Sequence, residues 1–354
     1  MKLEIKACRD YAEEPVFIPA EVKEDMVVRS AVADNGVRFP AQKVEGGIVV
    51  IAEMKRGETL TLTPDSEPVL PDIELKSDEA KSSLDIVLNN ELFTSYVYDK
   101  KFAKPYLGPV LAKDGTSYTR LDFETKEHPH QRSVFTGVGD VNGVDFWNER
   151  ENFGYQTHQG FSDKFAGPAC AGFTADILWH DKDKKPFMDE KRTYTFYNQS
   201  SKCRYVDITF RFTASYGEVK FGPTKEAGPL GVRINEKLRA DRGGYFVNSY
   251  GAELEEECWG RAASWCDYYG TINDRLYGIA VFDNEKNERY PTTWHIRNYG
   301  LFAANNLFFK GGLVIPEGES LTYRYRLCFY EGEHPNIRDR FIIYALMTSQ
   351  EAAE

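Results

Sequence analysis

Apolar and polar residues alternate with a period of two along most of this chain, the mark of strands that keep one face dry and one wet. The alternation is cleanest from Arg192 to Tyr197, from Arg204 to Phe212 and from Leu321 to Leu327. Shorter runs read the same way near the start: Leu3 to Ala7, Met26 to Val28, Val37 to Phe39, Gly47 to Ile51 and Leu60 to Leu62. Turn chemistry closes the later runs at Asn89-Asn90, Asp114-Gly115, Asn142-Gly143, Tyr216-Gly217, Gly243-Gly244, Gly311-Gly312 and Glu317-Gly318. Asn-Gly and Gly-Gly supply the positive φ angles of two-residue hairpin turns, so antiparallel pairing is expected. Only the tail has helical spacing: after Pro335 come Ile337, Phe341, Ile342, Tyr344 and Ala345, with Asn336 as a cap. The pattern predicts an all-β chain closed by one helix packed on a sandwich edge.

The stretch from Pro64 to Ser83 holds three prolines and many charges without any period. Such text suits an exposed connection between two bodies. The expected division is a small β-sandwich module over residues 1–75 and a large antiparallel β-sandwich over 76–354, which carries the carboxy-terminal helix. A length of 354 residues exceeds one typical core, in keeping with that division. The 23 Phe and 21 Tyr suit half-buried pleated faces better than helices.

Charge removes one class of partner. A formal net charge of -11 argues against nucleic acid, whose phosphates draw clustered Lys and Arg. The longest apolar run, Gly46 to Ala52, is far short of the roughly 20 residues that span a bilayer, so no membrane is expected. The opening MKLEIKACRDYAEE turns to charges too early for an export signal, which points to the cytoplasm. Six cysteines form no CxxC pair and no zinc-module spacing, so reduced thiols are expected. A homo-oligomer remains open.

Chemically able groups concentrate between Thr119 and Trp147, where His128, His130, Arg132, Asp140, Asn142, Asp145 and Trp147 fall within one strand-like stretch. Groups of this kind are costly to bury unless they converge on partners or a ligand. His128 and His130 stand at i and i+2, which on an extended strand share a face, and Glu124 and Glu127 are close in sequence. The pair can serve a proton or, with a third ligand such as His158, His295 or a carboxylate, a divalent metal. The plainer alternative is that both rings bond main-chain carbonyls in a β corner. Asp145 and Trp147 set a carboxylate beside an indole, a pairing suited to a sugar, whose C–H faces stack on rings while hydroxyls meet carboxylates. A Trp simply buried in the β core is the alternative. Asn142 reads as a turn residue.

Three further clusters follow. FGPTKEAGPLGVR projects Lys225 and Arg233 from a glycine-rich stretch that lacks a phosphate-loop pattern. NSYGAELEEECWGRAASWCDY carries Glu257, Trp259, Arg261 and Asp267, too bulky and polar together for a plain surface. PTTWHIRNYG places His295 and Arg297 on one strand face beside Tyr299, an arrangement able to act as acid or base on a carbonyl or hemiacetal.

Together with KPYLGPVLAKDGTSYTR and EHPHQRSVFTGVGDVNGVDFW, these motifs resemble a bacterial family of unknown function catalogued as methane oxygenase PmoA-like, over roughly residues 92 to 330. The family usually shows HPHHRG, where this chain has Gln131 and Ser133. Methane oxidation is not expected: a mean hydropathy of -0.51 contradicts a membrane oxygenase subunit, and Met1 stands where a histidine brace needs an amino-terminal His. The resemblance implies instead a galactose-mutarotase-type supersandwich concerned with sugars. It implies acid–base work by an epimerase, mutarotase, lyase or hydrolase on a sugar or oxidised glycoside. In that reading His130 and His295 move protons, and Asp145, Glu257 or Asp267 supplies a carboxylate. Arg132, Arg233 and Arg297 take substrate oxygens, Trp147 and Trp259 stack, and His128, Lys225 and Arg261 complete the binding set. No cofactor is required in this scheme. The alternatives are a noncatalytic carbohydrate-binding protein and a metal-dependent oxygenase built on His128 and His130.

Overall fold

The structure, a computed structural model, describes residues 1–121, 127–200 and 202–350. Six strands open the chain: β1 (Leu3–Lys6), β2 (Tyr11–Pro19), β3 (Ser30–Ala33), β4 (Arg38–Val44), β5 (Gly47–Met54) and β6 (Thr59–Asp65). There follow β7 (Glu74–Asp78), β8 (Ser83–Leu88), β9 (Glu91–Val97), β10 (Tyr106–Leu107) and β11 (Val134–Val138). Long strands come next: β12 (Tyr155–Phe165), β13 (Cys170–His180), β14 (Pro186–Tyr197) and β15 (Cys203–Thr213). Then come β16 (Val219–Phe221), β17 (Ala227–Arg233), β18 (Tyr245–Asn248), α1 (Leu254–Cys258), β19 (Trp265–Ile272) and β20 (Arg275–Asp283). The chain closes with β21 (Trp294–Ile296), β22 (Leu301–Ala304), β23 (Leu313–Ile315), β24 (Ser320–Glu331) and α2 (Ile337–Gln350).

The first six strands pair as β1-β6-β3-β4-β5-β2 around their own core, which includes Leu3, Val50 and Leu62. Two eight-stranded sheets form the larger body. The front sheet runs β21-β22-β17-β11-β10-β9-β8-β7 and the back sheet β12-β13-β14-β15-β24-β20-β19-β18. Strand neighbours pair antiparallel throughout both, as the hairpin turns require. Asn142 and Gly143, with φ of 51° and 86°, make the expected tight turn, closed by Val141 opposite Val144.

The main core lies between the two sheets, with Val134, Val232 and Phe302 of the front facing Phe173, Phe210 and Leu327 of the back. Each such side chain contributes about 1.5–3 kcal/mol by leaving water. Period-two alternation sends the intervening residues outward. On the front sheet these are Phe135, Leu301 and Ala303, which join Tyr106, Leu121 and Trp147 in a second apolar layer. On the back sheet Tyr205, Phe282 and Tyr330 turn outward to meet Ile337 and Tyr344 of α2.

Three features depart from the sequence reading. Glu74–Asp78, inside the expected connection, pairs with β8 as an edge strand of the front sheet. It is mostly charged and half-solvated, as edges often are, and so shows no apolar period. Gly243, at φ 96°, ends a short 3-10 turn over Ala240–Arg242 rather than a hairpin, and Tyr216-Gly217, Gly311-Gly312 and Glu317-Gly318 join strands of different sheets, because β16 and β23 pair with each other apart from the two large sheets. Finally, α2 lies on the back sheet's outer face and also sends Ile343 into the core of the first sheet, rather than resting on a sandwich edge.

Candidate functional site

The outer face of the front sheet gathers most of the chemistry. On β21, Trp294 and Ile296 enter the main core, so the intervening His295 must point the other way. Its neighbour on β22 is Ala303, whose small side chain leaves the imidazole room. On β17, Val232 enters the core and Arg233 turns outward, paired with Leu301. Gly231 lies under Phe135, whose ring would stand 2.8 Å from any Cβ placed there. A bulge between Phe135 and Gly137 of β11 then brings Trp147 down onto this face, where any Cβ on Gly137 would meet it at 3.3 Å.

His128 and His130 belong to a turn, not a strand. His128 has φ 49°, and the Gln131 N–H donates to its carbonyl oxygen at 3.0 Å. The two rings meet edge-on with centroids 5.9 Å apart. His128 stacks on Tyr299 at 4.8 Å, and the Arg233 guanidinium sits over that same tyrosine at 4.7 Å. Arg233 also donates to Gln131 Oε1 at 2.9 Å. His295 lies between two indoles, 6.3 Å from Trp147 and 6.4 Å from Trp259. Arg297, paired with Glu255 at 3.1 Å, reaches over Tyr299 at 5.8 Å and so joins the His128 and His295 groups.

The site is electrostatically tense. Burial, reinforced by the Lys104 charge, pushes His130 down to about 3. Burial and then Arg297 push His295 down to about 4, and His128 is lowered by burial and Arg233. All three imidazoles are therefore neutral at pH 7. Arg132 grips Glu149 with two bonds of 2.6 and 2.7 Å. Lys104 lies 3.4 Å from the same carboxylate and donates to the Trp147 carbonyl at 2.7 Å. Burial drives Lys104 down to about 8 in spite of Glu149. Burial would raise Glu149, but the bonds from Arg132 and the Lys104 charge outweigh it and hold the carboxylate below its usual range. Beneath, Glu236 collects Arg120, Arg233, Arg239 and Arg242 within 3.3 Å.

Several nitrogens on this face are buried with no hydrogen-bond partner among the described residues, among them His130 Nε2, His295 Nδ1, Trp147 Nε1, Trp259 Nε1 and Arg233 Nε. Each such group costs about 1–3 kcal/mol. Native proteins rarely tolerate several side by side unless a ligand or water meets them. A cavity of about 10 Å³, room for one water, lies between Lys225, Trp259, His295 and Phe308. Its lip is aromatic: Phe308 and Phe309 are exposed and touch the Trp259 ring at 6.0 and 5.0 Å.

The structure thus brings together His128, His130, Arg132, Trp147, Lys225, Arg233, Trp259, His295 and Arg297. The expected carboxylates do not join them. Asp145 lies in a turn and accepts from the Trp147 and Asn148 N–H groups at 2.8 and 2.9 Å, so it shapes the loop. Glu257 is exposed and accepts from the Glu253 N–H. Asp267 is fully buried on the outer face of the back sheet, bound by Tyr330 and His334 at 2.7 and 2.8 Å. Arg261 is exposed, and its main chain bonds Cys258 and Trp294 away from the imidazoles. Trp147 has no exposed surface, so it forms the floor of the site and offers no open face for stacking. His158, considered as a third ligand, packs against the Tyr98 ring at 4.4 Å in a tilted arrangement instead, and Glu124 lies outside the described residues. Among the described residues no three His, Cys, Asp or Glu side chains group so as to hold a metal ion.

Sequence reading missed Lys104, Glu149, Phe308 and Phe309. Glu149 follows Trp147 by two positions, but nothing in Asn148-Glu149-Arg150 distinguishes it from a solvated loop. Phe308-Phe309 in a polar loop was the readable signal, since neighbouring exposed rings are rarely neutral in function.

Residues 83–338 match a family described as one of unknown function, DUF6807. The chain belongs to that family. The match does not carry the methane oxygenase label that the motifs evoke. No curated protein matches this DUF6807 chain. Among solved structures, the GH36 α-galactosidase AgaB from Geobacillus stearothermophilus aligns at 11% identity and a TM-score of 0.40, over 73% of this chain and 41% of that one. The α-galactosidase from Lactobacillus brevis aligns at 9% identity and a TM-score of 0.39, over 72% and 40%. The galactosidase domain of AgaSK aligns at 11% and 0.38, over 73% and 42%. This DUF6807 chain therefore spans about two fifths of the length of those proteins. Among the described residues, no helix is long and apolar enough to cross a membrane.

Proposed function

We propose that the outer face of the front sheet is a saccharide site and that its chemistry is proton transfer at a carbonyl or anomeric carbon. The observation that carries this reading is the pair of nearly buried neutral imidazoles, His130 and His295, each with one ring nitrogen left without a partner. A neutral imidazole can donate to a carbonyl oxygen or take a proton from an adjacent carbon or hydroxyl. At about 3 and 4 the two rings are weak bases when the site is empty. A substrate that places negative charge beside them raises their basicity toward working pH.

Arg132, Arg233 and Arg297 are placed to meet oxygens, and Trp259 with Phe308 and Phe309 offers rings to the C–H face of a pyranose. Since the cavity beside His295 holds about one water, a sugar enters by displacing this aromatic lip. Glu149 takes over the carboxylate role expected of Asp145, Glu257 or Asp267; held ionised by Arg132, it orients that guanidinium rather than donating a proton.

The test is a panel of aldoses, ketoses and glycosides in deuterium oxide, followed by NMR for exchange at carbon, epimerisation and bond cleavage. Turnover that is lost in His130→Gln and His295→Gln, with melting temperature kept, is the expected result. Binding without turnover in the unsubstituted protein would leave a carbohydrate-binding protein in place of an enzyme. Absence of both would remove the saccharide reading.

A further inference from the structure

We infer that the saccharide accepted here is a sugar acid, whose carboxylate answers the unpaired donors and the cations of this outer face; this rests on the saccharide reading above. The argument begins with the kind of atom left unpaired. Trp147 Nε1, Trp259 Nε1 and Arg233 Nε can only donate. A hydroxyl could accept from them, but it brings a proton that needs an acceptor in turn. The carboxylates of the site are already taken. Glu149 is held by Arg132 and Lys104, Glu236 by four arginines, and Glu255 by Arg297. A group that supplies acceptor lone pairs and no proton satisfies this surface, and a carboxylate does so with charge as well.

Charge points the same way. Lys104 and Arg132 share the Glu149 carboxylate beside His130, with Asp145 the next anion acting on Lys104, inside a chain whose net charge is -11. Arg233 is fully buried, and it has Arg120 as a neighbouring cation. A buried, cation-rich pocket in an acidic protein is costly to maintain, and an anionic ligand offsets that cost. The depressed basicity of His128, His130 and His295 reports the same positive surroundings, though burial is its larger cause.

Calorimetric titration of the whole protein decides the matter. The probes are glucuronate, galacturonate and gluconate, against glucose and galactose as neutral counterparts and acetate as the bare anion. Sugar acids should bind about tenfold or more tightly than the neutral sugars, the worth of a charge-assisted bond. That preference should fall in Arg132→Gln and survive in Arg132→Lys, which keeps the charge. Equal binding of neutral and acidic sugars overturns the inference but leaves the saccharide reading intact. Acetate binding as tightly as the sugar acids also overturns it, since the site would then read charge alone. If no sugar of either kind binds, the saccharide reading fails and this inference fails with it.

Discussion

Arg192 Nε lies 2.6 Å from Oε1 of Glu190, two positions earlier on β14, and neither side chain reaches solvent. Trp179 donates to the other carboxylate oxygen at 2.7 Å, and Arg192 also donates to Gln156 Oε1 at 3.0 Å. Gln156 in turn donates to the carbonyl of Thr136 on the front strand β11 at 3.0 Å, so a polar thread crosses the apolar core from sheet to sheet. Glu190→Ala strands the arginine charge in that core. Loss of one partner from such a pair costs about 3–5 kcal/mol. Urea unfolding should show that loss; a change below about 1 kcal/mol would mean that water reaches Arg192.

Acid should loosen the site. Folded His130 and His295 titrate near 3 and 4, well below the unfolded value of about 6.5. Between those limits the unfolded chain takes up protons that the folded chain refuses, so this contribution is complete above pH 6.5 and declines as pH falls. The double variant His130→Gln, His295→Gln should have a flatter melting temperature between pH 6.5 and 4 than the unsubstituted chain. Parallel curves would contradict the burial assigned to both rings.

His334 behaves in the opposite sense. Its Nε2 lies 2.8 Å from Asp267, and that bond raises its pKa above the usual value. The pair stabilises fully below the unfolded pKa of about 6.5 and fades as pH rises through the folded one. His334→Gln should remove the decline on the alkaline side while leaving the acid side unchanged, measured by melting temperature from pH 5 to 9. A decline that persists in the variant would assign it to another group.

Much of this was legible in sequence because it rests on local rules. Alternation from Arg204 to Phe212 and from Leu321 to Leu327 marked two strands that prove to be adjacent, and Asn142-Gly143 marked its turn. The period of two that sets His295 and Arg297 on one face also sends His295 away from the core that receives Trp294 and Ile296. The carboxylates were misjudged for a physical reason. Asp145, Glu257 and Asp267 were selected by proximity in sequence to indoles, whereas a β-sandwich sends residues of adjoining segments to opposite layers. Asp267 went to the outer face of the back sheet, and Asp145 was consumed by its own turn. Glu149 and Lys104 meet across 45 positions through a tertiary contact that no spacing encodes. His128-Pro129-His130 read as extended because Pro129 disfavours a helix, but a positive φ at His128 bends the chain there.

The clasp formed by α2 ties the first residues of the chain to the last. Ile343 is seated beside Leu3 and Val50, while Tyr344, the next residue, closes on Phe282 of the back sheet and bonds Asn284 at 2.9 Å. One turn of helix is thereby mortgaged to two separate hydrophobic interiors. Trimming the chain before Ile337, or splicing a reporter into that turn, would open seams at both, so the carboxy-terminal end is the wrong place to edit this protein and its surface hairpins are the better one.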